Sequence, residues 1–340
     1  MREGTMMATQ GEAWYTRGIE ILGARFGLAS NNRELIYTPE FFEDQIVQSQ
    51  RTNFYRLNEV PYGENLDALV TVIDSEDLPL ELTLDERSLI LRGDISKLDK
   101  ESVDRRNTLF GNKGLFFRFC LRVLERDHKI FGFHSAALFD ADRRRLIILA
   151  GPPGVGKTAM LLAALRKGFQ ILSTEMLYYQ FRESGCAFFK GALLDNVRTG
   201  SLTIDFPDVA KQLGIELPNV EDVWGSKITL DLTVAAPDVD EILNPDVLLL
   251  FPRIEGQRTD VVISEIKNTR KIRNQLYENA SEKMAASYLL YDVLPICGLE
   301  TPDLMRSRFD VVTRFLSGED FHFLGAKTIL AGPQNCLDDI

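Results

Sequence analysis

The run LIILAGPPGVGKT, Leu146 to Thr158, joins an apolar segment to a glycine-rich loop that ends in lysine and threonine. GPPGVGKT fits the Walker A spacing GxxxxGK[ST]. Gly151, Gly154 and Gly156 can take the positive φ that turns backbone N–H groups toward phosphates, with Pro152, Pro153 and Val155 between them. The next helix, opening at Lys157, Thr158 and Ala159, adds its positive N-terminal end. Lys157 suits the β- and γ-phosphates of a nucleotide, and the Thr158 hydroxyl suits Mg2+. The chemistry read from this loop is binding of ATP, or another NTP, with Mg2+.

Such a loop needs a strand before it and a helix behind it. RLIILA (145–150) reads as a buried strand, TAMLLAALRK (158–167) as a helix ended by Gly168, and QILS (170–173) as a further strand. IFGFHSAALFD (130–140) reads as one strand, and ADRR as a turn to which Asp140 and Asp142 contribute turn-forming side chains. FFKG, SLTIDF, KITLDLTVA, DVLLLFPRI and DVVISEI are strand-like, and NTRKIRNQLYENASEKMAASYLLYDVL and TPDLMRSRFDVVTRFLSG read as helices. Upstream, LDALVTVID (66–74), LELTLD (80–85) and SLILRGDI (88–95) suggest a small α+β module with an antiparallel sheet. NKGLFFRFCLRVLERD (112–127) has the spacing of an amphipathic helix that bridges into the second domain. The organisation expected is an N-terminal α+β module over residues 1–124 and an α/β nucleotide-binding domain over 125–340.

Bulk properties narrow the partners. The chain has 340 residues and a net charge of -11, from 39 Lys plus Arg against 50 Asp plus Glu. That balance argues against a nucleic-acid partner, which needs clustered cations. The 4 cysteines, Cys120, Cys186, Cys297 and Cys336, form no CxxC pair, so reduced thiols and no zinc site are expected. No apolar run approaches the roughly 20 residues of a membrane span, and MREGTMMATQGE has no secretory core. A cytoplasmic location without membrane partners is the expectation, and Met6 and Met7 are alternative starts. His128 and His322 read as surface or structural, and Trp224 as a packing anchor. Lys267, Arg270, Lys271 and Arg273 read as a solvated face, or as a docking patch or lid.

GPPGVGKT also suits AAA-type ATPases, but those need an apolar strand ending in Asp-Glu. DVLLLFPRI ends in Phe251, Pro252 and Arg253 instead. FHSAALFDADRRRLIILAGPPGVGKTAMLLAALRKGFQILSTEMLYY resembles the HPr kinase/phosphorylase family and its relatives of the phosphoenolpyruvate-carboxykinase-like fold. His134, Ser135 and Ala136 match the family's His-small-small strand, and Lys167, Gly168 and Phe169 its helix end. The likeness covers roughly residues 130–270. An N-terminal module beside such a domain is similar to the arrangement of the kinases that phosphorylate lasso-peptide precursors.

The resemblance implies a P-loop kinase domain that moves a phosphoryl group from ATP to a hydroxyl: a serine of a protein or peptide, or a small metabolite. It also implies a homo-oligomer, since relatives form rings or dimers. Two departures and one further correspondence bear on that activity. The family's Asp-Asp is Thr174-Glu175 here, so the candidate general base is a neutral hydroxyl. The Glu of its Glu-Val-Arg-Gly stretch is Asn196, with Asp195 beside it. Its Pro-Gly-Arg segment corresponds to FPRIEGQRTDVVISEI, in which Arg258, or Arg253, would steady the transferred group. By the resemblance, Thr158 and Glu175 hold the metal, Lys157 neutralises phosphate, and Glu175 or His134 handles the proton. The alternatives are a nucleotide-binding pseudokinase or regulatory protein that has lost transfer, and a simple NTP hydrolase.

Overall fold

A computed structural model of the chain describes residues 13–37, 53–63, 65–338 and 340. The readings made on residues 1–12 lie outside them. The chain is mixed α/β and divides into two compact units. The first comprises Met1–Arg51, Arg56–His128 and Ser287–Leu299, the second Thr52–Tyr55, Lys129–Ala286 and Glu300–Ile340. The main boundary thus comes after His128 rather than residue 124, and Ser287–Leu299 belongs with the first unit.

The first unit carries a 6-stranded sheet in the order Asn58–Val60, Tyr15–Ile21, Ala24–Ser30, Ala68–Asp74, Ser88–Gly93, Glu81–Leu84. It is mixed, not antiparallel: Ala24–Ser30 runs parallel to Ala68–Asp74, which runs parallel to Ser88–Gly93. Parallel neighbours need crossover connections, unlike the antiparallel sheet that the sequence suggested. The helix Leu115–Val123 is buried along its whole length, Arg118 and Arg122 included. Those two arginines are satisfied inside the unit, by the Tyr288 ring 4.1 Å from the Arg118 guanidinium and by the Gly298 carbonyl 3.2 Å from Arg122.

The segment expected to be helical through residue 294 stops at Ala285. Beyond it, Tyr288–Leu290 and Leu294–Ile296 pair as an antiparallel hairpin. Tyr291 and Asp292 both take positive φ, 53° and 61°, at the centre of a turn in which the Val293 N–H donates to the Leu290 carbonyl at 3.2 Å.

In the second unit a 6-stranded sheet runs Gln170–Ser173, Ala136–Asp140, Arg145–Leu149, Asp246–Ile254, Phe323–Ala331, Val262–Glu265. Its three central strands, from Arg145–Leu149 to Phe323–Ala331, are parallel. Such strands are covered on both faces, and the sequence LIIL reflects it. Ile147 and Leu149 pack with Met160, Leu161 and Leu165 of the helix Lys157–Arg166. Leu146 and Ile148 pack on the opposite face with Phe133, Tyr179, Phe188 and Phe315. That second layer includes an antiparallel sheet of Glu241–Leu243, Gly185–Phe189, Leu177–Arg182 and Ile130–Phe133, together with the helices Thr269–Ala285 and Pro302–Ser317.

Two strand readings are corrected. IFGFHSAALFD breaks at His134–Ser135 into Ile130–Phe133 and Ala136–Asp140, which join different sheets. Asn279 of the long helix holds the break: its side-chain amide donates to the His134 carbonyl at 2.7 Å and accepts from the Ser135 hydroxyl at 3.1 Å. SLTIDF forms a helical turn, Ser201–Asp205, and Pro207 then opens the helix Pro207–Gln212. Proline's fixed φ favours that first helical position.

Candidate functional site

The strand Arg145–Leu149 delivers the chain to the glycine-rich loop at the carboxyl end of the parallel strands. Gly151, Gly154 and Gly156 have φ of 146°, 88° and 102°, positive as the loop requires. The loop is anchored to the neighbouring strand: the Ile254 N–H donates to the Val155 carbonyl at 3.0 Å. The Lys157 ammonium folds over its own loop and donates to the carbonyls of Gly151 at 2.6 Å and Pro152 at 3.3 Å. Burial lowers its pKa below the usual lysine value, against the opposing charges of Glu175 and Glu282.

Thr158, on the first turn of the helix, donates its hydroxyl to Oδ2 of Asp195 at 3.0 Å. Asp195 lies on Leu194–Arg198, which pairs with Lys227–Asp231 so that Asp195 faces Leu230 and Asn196 faces Thr229. Neighbouring strand residues point to opposite faces. Asn196 accordingly accepts from the Thr229 hydroxyl at 3.1 Å, and the carboxylate that meets the loop is Asp195.

Thr174 is buried, and its hydroxyl lies 2.9 Å from the Ala192 carbonyl and 2.8 Å from that of Leu194. It is a structural tie between backbone segments. Glu175, the next residue, has a different environment. Its Oε1 accepts from His134 Nε2 at 3.1 Å and from the Lys283 ammonium at 3.0 Å. The other ring nitrogen of His134, Nδ1, lies 2.6 Å from Glu282 Oε2. Carboxylates only accept, so both contacts are hydrogen bonds at once when the ring carries two protons. Burial alone would raise the pKa of Glu175, but the His134 hydrogen bond and the Lys283 charge outweigh it and hold the carboxyl well below its usual range.

The structure therefore brings His134 and Glu175 into direct contact and joins Thr158 to Asp195. Lys157 lies within the electrostatic reach of Glu175, Glu282, Lys283 and Asp195. Arg258 is engaged elsewhere, by Glu255 at 3.3 Å and Asp260 at 2.8 Å in its own loop. Among the described residues, no hydrogen bond or ion pair links it to Lys157, Thr158, Glu175 or His134. Arg253 is exposed and pairs with Glu255. Glu282, Lys283 and Asn279 were not singled out from sequence. Their spacing, i, i+3 and i+4, puts them on one helix face, but in a segment as polar as NQLYENASEK that face reads as solvated.

The donor set suits a hard cation. Mg2+ takes oxygen ligands, usually one or two carboxylates with substrate phosphates, and the Thr158 hydroxyl, Asp195 and Glu175 supply oxygen. No group of three His, Cys, Asp or Glu among the described residues could hold a metal on its own. Among the described residues no helix is long and apolar enough to cross a membrane.

Fold and site define a mixed α/β protein whose second unit carries a strand, a glycine-rich loop and a helix, together with a cluster in which the half-buried Glu175 meets the buried His134 and Lys283. Compared with models of known families and with curated proteins, the sequence matches none.

Proposed function

We propose that this chain is an ATP- and Mg2+-dependent phosphotransferase of the HPr-kinase-like type, acting on a hydroxyl of a protein, peptide or small metabolite. The observation that carries the reading is the Thr158–Asp195 hydrogen bond beside Lys157. A P-loop hydroxyl paired with a carboxylate from a neighbouring strand is the donor pair that P-loop enzymes offer to Mg2+. The loop N–H groups and Lys157 bind phosphate, Lys157 exchanging the carbonyls of Gly151 and Pro152 for phosphate oxygens. Bound Mg2+ would neutralise the β- and γ-phosphates. Glu175, ionised and fixed by two partners, orients the acceptor hydroxyl, and His134 beside it takes part in moving the proton. Phosphoryl transfer depends chiefly on positioning and charge neutralisation, so a weak base at Glu175 is compatible with it.

The hydroxyl of Thr174 favours a second reading, a nucleotide-binding regulatory protein without transfer, because the position that would carry the base is spent on backbone carbonyls. Incubation of the protein with γ-labelled ATP, Mg2+ and a cell extract separates the two. Label on an extract component, lost in Lys157→Ala, is the expected result. Label only in free phosphate identifies a hydrolase, and tight ATP binding with no turnover identifies the regulatory protein. Either result overturns the kinase reading.

A further inference from the structure

We propose that Lys283 is a positioning residue for this site: with His134 it immobilises one oxygen of Glu175, leaving the other to act on the reacting groups. The inference rests on the phosphotransferase reading. Both partners of Glu175 converge on Oε1, and no hydrogen bond to Oε2 is present among the described residues. Two donors on one oxygen favour the orientation that keeps that oxygen between them. Lys283 is 7% exposed and its neighbour Glu282 holds the far nitrogen of His134. Asn279, one turn earlier, fixes the His134 backbone through its carbonyl. One face of the helix Thr269–Ala285 thus sets the backbone, the ring and the carboxylate together.

A stabilising role alone accounts poorly for such an ammonium. A buried ion pair yields little net stability over apolar side chains of similar volume, because desolvation offsets the attraction. A fixed carboxylate, by contrast, is what supporting hydrogen bonds provide at reactive sites, and removing such a support typically lowers activity about 10–100-fold. Lys283 itself need touch neither nucleotide nor acceptor. Its effect on the reaction passes through Glu175.

The test is a double-mutant cycle in the full-length protein. Lys283→Met removes the charge at similar length, and Lys283→Arg keeps a donor within reach. Each is made alone and in Glu175→Gln, with label transfer, nucleotide KM and thermal unfolding measured throughout. Lys283→Met should lower kcat about 10–100-fold with KM for ATP within about threefold, and Lys283→Arg should recover much of the loss. In Glu175→Gln, Lys283→Met should have no further effect on kcat, the non-additivity expected of groups acting as a unit. An active parent with an equal loss in both backgrounds, or an unchanged kcat in Lys283→Met, overturns the proposal while sparing the kinase reading. So does a parallel loss of ATP binding, which would make Lys283 a nucleotide ligand. A parent that transfers no label overturns both.

Discussion

Gly156 lies so close to Ile254 that a Cβ on the glycine would fall 2.4 Å from the Cβ of the isoleucine. Gly156 opens the helix Lys157–Arg166 with a φ of 102°, and Ile254 ends the strand that anchors the loop. Gly156→Ala meets both a left-handed backbone and a collision, and should destabilise the second unit by about 2–4 kcal/mol. Trp14 and Trp224, the 2 tryptophans of the chain, lie in different units, so Trp224 fluorescence in a Trp14→Phe background reports this unfolding. Adding Ile254→Ala keeps the colliding Cβ and should return little of the loss, whereas Ile254→Gly, which removes it, should return more of the steric part. A Gly156→Ala protein with parental stability and nucleotide affinity would contradict the packing.

Asp195→Asn keeps the shape of the side chain and removes the charge that faces Thr158. Its Mg2+-dependent turnover should fall about 100-fold, as for loss of a charge-stabilising group, with thermal unfolding little changed. Asn196→Asp is the counterpart. Its side chain points at Thr229, so turnover should stay within about threefold of the parent. The reverse ranking of these two variants in a label-transfer assay would assign the metal-facing position to residue 196.

Placing an acid at position 174 should not enhance transfer. Thr174→Asp sets a carboxylate against the carbonyls of Ala192 and Leu194, and should cost about 3 kcal/mol or more. Thr174→Val, which only removes the hydroxyl, should cost about 1–2 kcal/mol. Faster label transfer by Thr174→Asp at an unchanged melting temperature would show that the position belongs to the chemistry after all.

The first unit should lose stability in acid through Asp74. Burial alone would raise its pKa, but hydrogen bonds from Ser96, Asn32 and the Ile95 N–H outweigh it and hold the carboxyl below its usual value. The folded state therefore binds the proton less readily than the unfolded one. Asp74 contributes in full above the ordinary carboxylate range of about 4, and that contribution disappears as pH falls through the lowered value. Followed by Trp14 fluorescence in Trp224→Phe, unfolding of the first unit should be less pH-dependent between about pH 5 and 2 in Asp74→Asn than in the parent. Identical pH profiles would refute the assignment.

Much of the central sheet was legible because its signals are local. The apolar run RLIIL, the strong helix formers of TAMLLAALRK and the final Gly168 mark strand, helix and stop within a few residues of each other. The break at His134–Ser135 was not legible. Nothing in IFGFHSAALFD announces it, because the groups that stabilise it come from Asn279, 145 residues away along the chain for the amide donated to His134. The hairpin at Tyr288–Ile296 was hidden for a related reason: its residues tolerate a helix, and pairing within the first unit decides otherwise.

By itself the sequence determined the loop. Three glycines, a lysine and a threonine at fixed spacing dictate a backbone of positive φ, and the contact with Ile254 then anchors it. Which side chains gather around that loop was decided only by the tertiary structure. Asp195 rather than Asn196 meets Thr158 because strand register turns alternate residues to opposite faces. Glu175 finds His134 and Lys283 because a helix more than a hundred residues downstream in sequence packs beside it. Electrostatic partners depend on distance in space, and separation along a chain carries little information about that.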